Sequence, residues 1–246
     1  MMKRFFKNFA IGVYVCIGFL LTQTVSYASA IQQQQSTLYP YNGIIELQED
    51  FVTGMNSSGN IGHLNWFTAG GTTSSASDPP TELGYIRKAT SSVSGTVASL
   101  LISGNQNNWT RDSVHHLLYR VRLNSNDSNT TVRIGESSVC TVSPISTNGV
   151  YFEKLDSDTT WFGVTKSGGT ETRTDTGVSV STSWTYFSMN VTSTSVEFFI
   201  NNVLVATNTT TIPTGSVSPC AHIVNSSAAD KTFDIGYYQS RTFISR

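Results

Sequence analysis

The sequence predicts an all-β protein, an antiparallel two-sheet jelly-roll sandwich. Short runs of alternating apolar and polar residues recur along the chain, and the residues between them are rich in Gly, Ser, Thr and Asn. Charged residues make up only 13% of the chain, which suits polar strand faces and turn-rich loops better than helices. No helical period follows residue 30, so strands must supply both layers.

The clearest alternation occurs in residues 183–208, SWTYFSMNVTSTSVEFFINNVLVATN. Two runs place apolar residues at every second position: Phe187, Met189 and Val191, then Val196, Phe198 and Ile200. A third run begins at Val203, after Asn201-Asn202, and asparagine tolerates the positive φ of a two-residue hairpin turn. We therefore predict a three-stranded antiparallel meander, with Trp184 at its start as a core residue.

Residues 1–30 have the three parts of an export signal peptide. Lys3, Arg4 and Lys7 give a positive start, residues 11–21 form an apolar run, and Ala28-Ser29-Ala30 matches the small-residue pattern that signal peptidase cleaves. The apolar run is too short for a stable membrane span. We expect cleavage before Ile31 and a secreted, periplasmic or cell-surface protein with no transmembrane segment after cleavage.

The predicted mature chain is acidic and has the size of one domain. Removing 30 of the 246 residues leaves 216, the length of a single sandwich. Three of the 15 basic residues lie in the signal, so 12 basic residues stand against 16 acidic ones, a net charge of −4. Without a basic cluster, this charge argues against nucleic acid and anionic membranes as partners.

Residues 31–48 are predicted to form an N-terminal arm or linker, because they begin with a run of glutamines and lack a sustained period. The sandwich domain is predicted over residues 49–246. Gly70–Pro80 is rich in Gly, Ser and Thr and is predicted as a long connection. The predicted strands of this half are Leu64–Phe67, Gly84–Lys88, Val97–Ile102, Val114–Leu123 and Thr130–Gly135.

Val114–Leu123 is the strongest alternating run of the first half. Its more apolar parity, which is predicted to face the core, contains His115, Leu117, Tyr119, Val121 and Leu123. His115 and His116 are adjacent and therefore point to opposite faces, so they cannot share a metal ion. The other histidines, His63 and His222, are isolated, and we expect no metal site and no cofactor.

The second half continues with Val150–Leu155 and Trp161–Thr165, joined by the polar loop Asp156–Thr160. Gly168-Gly169 marks the next turn. The remaining predicted strands are Thr170–Val180, the three of the meander, Ala221–Val224 and Phe233–Tyr238. First and last strands often lie side by side in such folds, so we expect Glu49–Val52 beside Phe233–Tyr238.

Several segments resemble a known superfamily. They are NGVYFEKL (148–155), TWFGVT (160–165), GGTETRTDTGV (168–178), FINNVLVAT (199–207) and FDIGYY (233–238). They are similar to an uncharacterised bacterial and tailed-phage module of the concanavalin A-like lectin/glucanase superfamily, and the hairpin is similar to that of laminin-G-like sandwiches. The likeness covers about residues 49–240 and implies the jelly-roll fold. Its motifs are turns and core strands, so they specify activity poorly.

Glu153, Asp156 and Asp158 come nearest to a catalytic carboxylate set. Glucanases of this superfamily carry Glu-x-Asp-x-x-Glu or Glu-x-Asp-x-Glu along one strand, which puts the carboxylates on one face. Here the spacing is three and then two, and both aspartates fall in the predicted loop, where turn chemistry alone explains them. We therefore expect no catalytic residues and a protein that is not an enzyme.

A shallow carbohydrate-binding groove is the predicted site. Tyr151 and Glu153 share one face of their strand, and Trp161 returns towards them on the next strand. Exposed aromatic rings stack on the C–H faces of sugars, while carboxylates and amides bind the hydroxyl groups. Trp109, which follows Asn105-Gln106-Asn107-Asn108, is the other tryptophan expected at the surface. The same composition also suits a strand pair packed under a loop.

Cys140 and Cys220 remain after Cys16 leaves with the signal. Two cysteines in a protein bound for an oxidising compartment predict a disulfide, and each lies near a proline in a loop next to a strand. Two unpaired buried cysteines are the alternative.

Three functions fit the sequence. The first is a secreted, non-catalytic carbohydrate-binding (lectin-like) or surface-interaction domain, with a glycan or surface polysaccharide as its partner. The second is a glycan-cleaving enzyme of the same fold, which an aligned carboxylate pair in a groove would favour. The third is a structural virion or cell-surface protein, which a broad exposed apolar patch would favour.

Overall fold

The computed structural model describes residues 44–51, 61–64, 66–77, 84–102, 114–124, 128–140 and 147–243. Over these residues the protein is an antiparallel two-sheet β-sandwich without helices, which confirms the predicted fold class. Consequently, the described residues contain no helix long and apolar enough to cross a membrane. The predicted signal and Trp109 lie outside the described residues.

Fifteen strands are present in the described part of the chain. They are β1 (Ile44–Glu49), β2 (Trp66–Ala69), β3 (Thr72–Ser77), β4 (Gly84–Ala89), β5 (Val97–Ile102), β6 (Val114–Leu123), β7 (Thr130–Ser137), β8 (Gly149–Lys154), β9 (Thr160–Ser167), β10 (Thr170–Ser179), β11 (Thr185–Val191), β12 (Val196–Ile200), β13 (Val203–Asn208), β14 (Ser218–Asn225) and β15 (Thr232–Phe243).

The strands form two sheets. In the described residues the first sheet has eight strands in the order β13-β12-β11-β6-β15-β4-β3, and β1 also pairs with β15. The second sheet has seven strands in the order β10-β9-β8-β7-β14-β5-β2. β15 pairs with β4 along its first part and with β1 along its last part, so one long strand serves two neighbours on the same side.

The N-terminal boundary of the sandwich differs from the prediction. Ile44–Glu49 forms a strand, so the predicted arm is wrong for residues 44–48. The sequence signal is weak there because β1 pairs with β15 alone and leaves Ile44 and Ile45 exposed. The first and last described strands are neighbours as expected, but their ladder joins Ile44–Glu49 to Tyr238–Phe243, so the expected ranges meet only at Glu49 and Tyr238.

Strand β3 lies in the region predicted as the connection Gly70–Pro80. It is the last strand of the first sheet, and its sequence TTSSAS lacks the alternation that marks a half-buried strand. Lys88 on β4 donates to the Thr73 hydroxyl at 2.8 Å and to the Gly70 carbonyl at 3.0 Å. Burial lowers the pKa of Lys88 to about 8. The edge is therefore held by polar contacts that a hydrophobic pattern does not reveal.

The core lies between the sheets and follows the predicted parity of β6. Leu117, Tyr119, Val121 and Leu123 are at most 2% exposed, and His115 is buried on the same face. The inward residues of the second sheet pack against those of the first. For example, the ring of Phe152 on β8 is edge-on to the ring of Phe198 on β12, with centroids 5.2 Å apart.

The predicted meander is present as β11, β12 and β13. Asn201 and Asn202 have φ of +50° and +66°, as the two-residue turn requires. The inward side chains are almost fully buried, and they are Phe187, Met189, Val196, Phe198 and Ile200. Val191 at the end of β11 is only partly buried.

Asn208 joins the edges of the two sheets. From β13 its side-chain amide donates to the Gly163 carbonyl and to the Thr165 hydroxyl on β9, both at 3.2 Å. Its side-chain oxygen accepts from the Thr174 hydroxyl on β10 at 2.6 Å. Glycine is required at position 163 because a Cβ there would lie 2.7 Å from the ring of Phe198 on β12.

A disulfide joins Cys140 to Cys220, the pair predicted from the sequence. Their Cα atoms are 5.7 Å apart, and the two cysteines are separated by 80 residues. The bond ties the segment after β7 to the start of β14, and both sulfurs belong to buried residues.

The double substitution Cys140→Ser/Cys220→Ser should lower the free energy of unfolding by about 4–5 kcal/mol, because the bond reduces the entropy of the unfolded chain. Urea unfolding of the variant and of the oxidised protein measures the difference. The oxidised protein treated with a thiol reductant is the matched control and should lose a similar amount. A loss below about 1 kcal/mol in both would contradict the expectation.

Candidate functional site

Trp161 does not lie beside Tyr151 and Glu153. In the β8–β9 ladder Glu153 stands opposite Phe162, and directly opposite residues share a face. Trp161 therefore points to the other face, into the core, where it is 2% exposed and its ring centroid lies 4.7 Å from that of Phe187. The prediction that Trp161 is exposed and lines a sugar-binding groove is wrong.

Tyr151 and Glu153 share the outer face of β8 as predicted, but both are buried. The Tyr151 hydroxyl donates to Glu171 at 3.4 Å, and burial, with help from the Glu153 carboxylate, raises the pKa of Tyr151 well above its ordinary value. Glu153 accepts from Arg133 at 2.6 Å and from Arg173 at 2.8 Å. Neither side chain is available to a sugar, so the prediction of these two as ligand-binding residues is wrong as well.

A network of polar and charged side chains crosses the outer face of the second sheet. His222, Arg133 and Glu153 are buried, and Arg173 and Asp158 at its far end are partly exposed. Arg133 donates to Nε2 of His222 at 3.0 Å, so Nδ1 of the neutral ring donates to the Cys140 carbonyl at 3.2 Å. At the far end Arg173 pairs with Asp158. Glu153 and Asp158 therefore serve the network, and Asp156 accepts from Thr131 at 3.1 Å.

Cys140, Cys220 and His222 bring possible metal-ligand atoms within 4.8 Å of one another. The two sulfurs are bonded to each other, however, so they are not the thiolates that a metal ion requires. In the oxidised protein this cluster therefore belongs to the disulfide.

Trp161→Ala should lower the free energy of unfolding by about 3–5 kcal/mol, because the indole fills the space between the sheets. Chemical unfolding measures the loss. Phe67→Ala is the matched control, since Phe67 is an aromatic residue that is 46% exposed on β2, and it should change stability little. Similar small losses in both variants would show that Trp161 is not a core residue.

Acid should destabilise the protein through two buried histidines. Burial, and to a smaller extent the positive charge of Arg133, lowers the pKa of His222 to about 3. Burial lowers the pKa of His115 to about 4. The unfolded chain titrates near pH 6.5 and so binds more protons than the folded protein between these values. The stabilisation is complete above about pH 6.5 and is lost as the pH falls towards 4.

We expect the free energy of unfolding to fall between pH 7 and pH 5 by roughly 2 kcal/mol for each histidine. Urea unfolding at the two pH values measures it. His222→Gln keeps an acceptor for Arg133 and a donor for the Cys140 carbonyl but does not titrate, so the fall should be about half as large. An unchanged fall in this variant would contradict the assignment.

The outer face of the first sheet offers a more accessible arrangement, in three rows that cross the strands. The aromatic row consists of Tyr186 on β11, Arg120 on β6 and Tyr237 on β15, which stand directly opposite one another. The apolar row consists of Leu204, Phe199 and Leu118, with Ser188 between the last two. The polar row consists of Glu197, Asn190, His116, Arg241 and Glu46.

The aromatic row is partly open to solvent. Tyr186 is 42% exposed, and its backbone N–H donates to the side-chain oxygen of Asn201 at 3.0 Å. Burial and the Glu46 carboxylate raise the pKa of Tyr237, so its hydroxyl stays protonated at neutral pH. The two tyrosines therefore stand on either side of Arg120 in the ladder, while Arg120 itself is buried against the Trp184 ring. The accessible groups of the row are the two phenol rings and their hydroxyl groups.

Trp184 lies alongside the aromatic row and packs against its central residue, Arg120. The Arg120 and Arg122 guanidinium carbons are 4.1 and 4.6 Å from its ring centroid, and the Tyr85 ring is edge-on at 5.9 Å. A Cβ at Gly236 would lie 3.1 Å from the indole, so glycine makes room for it. Trp184 is only partly buried. The prediction of Trp184 as a core residue is wrong, because the residue immediately precedes β11 and its ring packs on the outer side against Arg120 and Arg122.

Asp234 anchors the arginines beside this tryptophan. It accepts from Arg87 at 2.7 Å and from Arg122 at 2.8 Å, and its carboxylate is fully buried between them. A buried carboxylate that accepts from two guanidinium groups holds them in fixed orientations. The Trp184 end of the face is therefore rigid in the folded protein.

The polar row supplies hydrogen-bonding groups on the other side of the apolar row. Glu46 accepts from Gln239 at 2.5 Å and from Arg241 at 3.2 Å, and Asn190 donates to Glu197 at 3.1 Å. Burial and Arg241 lower the pKa of His116, so its ring is neutral at physiological pH.

The face thus combines partly exposed rings with amides, carboxylates and guanidinium groups. The sequence contained part of this information, since the parity of β6 already puts His116, Leu118, Arg120 and Arg122 outside. The strands that stand beside β6 were not known from the sequence, so Tyr186 and Tyr237 could not be joined to Arg120.

No protein-family model matches the chain, and a search of curated proteins finds no relative. Solved structures do share the fold. A protein of unknown function from Shewanella oneidensis matches at 14% identity with a TM-score of 0.59, covering 87% of this chain and 95% of that one.

Botulinum neurotoxin binding domains are also similar. The type DC domain in complex with rat synaptotagmin II matches at 12% identity over 76% of this chain, with a TM-score of 0.52. A type C neurotoxin, whose cell entry depends upon interaction with two ganglioside molecules, matches at 12% over 79%, also at 0.52. This chain spans 46% and 47% of those chains. At these identities the similarity shows the sandwich fold alone.

Proposed function

We propose that the protein is an exported, non-catalytic carbohydrate-binding domain of the concanavalin A-like type, which binds a glycan on the outer face of the first sheet. The observation that carries the proposal is the aromatic row beside Trp184, in which Tyr186 is 42% exposed and Tyr237 is partly exposed on either side of the buried Arg120. The export signal predicted for residues 1–30 fits a partner outside the cell, such as a surface polysaccharide.

The chemistry of the three rows matches that of a sugar. Pyranose rings present C–H groups on their faces, which stack on aromatic rings, and hydroxyl groups at their edges, which need donors and acceptors. Tyr186 and Tyr237 supply the rings, and Asn190, Glu46 and Arg241 supply hydrogen-bonding groups. Successive rows are about 7 Å apart, since they are two residues apart along each strand.

The carboxylates of this face favour binding over cleavage. Glycoside hydrolysis needs two carboxyl groups that flank the scissile bond. On the described part of the face, Asp234 accepts from Arg87 and Arg122, Glu46 from Gln239 and Arg241, and Glu197 from Asn190. Each is thus held by protein donors, as expected of groups that orient a ligand or the sheet.

The structural neighbours lend support of a general kind. The interaction of the type C neurotoxin with gangliosides, and a type DC binding domain in complex with SialylT, associate the fold with sugar-bearing ligands. The transfer to this chain rests on its own surface and not on sequence identity.

A glycan array probed with the mature protein should give positive sugars, and the double variant Tyr186→Ala/Tyr237→Ala should weaken binding to them by about 5- to 100-fold. The reason is that each stacked ring contributes about 0.5–1.5 kcal/mol. Phe67→Ala, an exposed aromatic residue on the other sheet, is the matched control and should bind normally. Equal weakening in the control, or none in the double variant, would count against the site.

A further inference from the structure

The apolar side chains of the apolar row, Leu204, Phe199 and Leu118, offer no hydrogen bond to the hydroxyl groups of a sugar. Leu204 on β13 stands opposite Phe199 on β12, and Ser188 on β11 stands opposite both Phe199 and Leu118. Leu204 is 51% exposed, while Phe199 and Leu118 are partly exposed. The row therefore forms a strip across four strands, about 14 Å long at the usual strand spacing. Three of the strands contribute apolar side chains, and β11 contributes the buried Ser188.

The strip runs directly beside the aromatic row. Leu118 and Arg120 are two residues apart on β6, and Ser188 and Tyr186 are two residues apart on β11, so the rows are parallel and about 7 Å apart. The hairpin turn that precedes Leu204 contacts the aromatic row, since the Asn201 N–H donates to the Tyr186 carbonyl at 2.8 Å. A ligand with a polar half and an apolar half could occupy both rows at once.

The segment that carries Phe199 and Leu204 contains no charged residue. No Asp, Glu, Lys or Arg occurs between Glu197 and Asp230, which includes all of β13. An apolar group that settles on Leu204 and Phe199 therefore does not strip water from an ion of that segment, which would be costly.

The size of the strip limits its occupant. A specific protein interface buries about 800 Å² on each partner, far more than three partly exposed side chains supply. A hydrocarbon chain a few carbons long needs only a narrow strip, and it gains affinity from each buried methylene group.

We propose, on the basis of the proposed glycan-binding function, that the ligand is a glycoside with an extended apolar aglycone, such as an alkyl or acyl chain. The sugar lies on the aromatic row, and the chain lies along Leu204, Phe199 and Leu118. The partner is then a glycolipid or an acylated glycan, and both present the same kind of apolar chain to this strip.

Titration with matched methyl and n-octyl glycosides of galactose, glucose and N-acetylglucosamine, below the micelle concentration, tests the proposal. We expect the octyl glycoside to bind about tenfold or more tightly than the methyl glycoside of the same sugar, the effect of burying about two methylene groups. Leu204→Ser should abolish this advantage without changing the affinity for the methyl glycoside.

Val93→Ser is the matched control, because Val93 is 62% exposed in the turn between β4 and β5, away from the strip, and it should keep the octyl advantage. Melting temperatures of both variants check that they fold. Equal binding of methyl and octyl glycosides, an advantage that survives Leu204→Ser, or one that Val93→Ser also removes would overturn the inference. A glycan array with no positive sugar would instead overturn the proposed function.

If the octyl advantage is present, two further arms identify its source. Binding of the protein to vesicles that carry an octyl- or acyl-anchored glycoside, and not to vesicles of phosphatidylcholine alone, indicates a glycolipid. Binding to a soluble acylated oligosaccharide with equal affinity indicates an acylated glycan. In both arms Leu204→Ser should weaken binding about tenfold.

Discussion

The register of β6 between β11 and β15 is the constraint on which the rest of the first sheet depends. It turns Leu117, Tyr119 and Val121 into the core and leaves Arg120 outside between two tyrosines. A slip of one residue would exchange the two sets and bury the guanidinium groups in the apolar layer. Because the core residues exclude that exchange, the composition of the outer face is fixed by the packing of the inner one.

Two irregularities in the ladders of the first sheet change which side chains point outward. The ladder between β15 and β6 shifts at Gly236, so Asp234 and Tyr237, which are three residues apart, both point outward. The ladder between β12 and β13 shifts next to Val205, which leaves Leu204 outside and Ala206 inside. Such bulges bring side chains to a face that a strict period of two denies them, and here they shape the aromatic row and the apolar row.

A structural feature could be predicted from the sequence when the residues that determine it lie close together along the chain. The inward residues of β6 and the Asn201-Asn202 turn are local patterns, and they were predicted correctly. The face of Trp161 depends on the register across a loop, and the partners of Glu153 lie 20 residues away on either side. A local pattern holds no information on either, so a carboxylate that belongs to an ion network was assigned to a groove.

The two outer faces of the sandwich differ in how their charged groups are held, and this difference is the reason for placing the proposed glycan site on the first sheet. On the second sheet the disulfide, the neutral His222 and the Arg133–Glu153 pair engage one another in a buried network. Breaking such a network to admit a ligand would leave buried charges without partners, at a cost of several kcal/mol. On the first sheet the pairs around Asp234 and Glu46 instead hold their arginines at the margins, and Tyr186 between them remains exposed. A ligand there adds contacts without removing any that the fold requires.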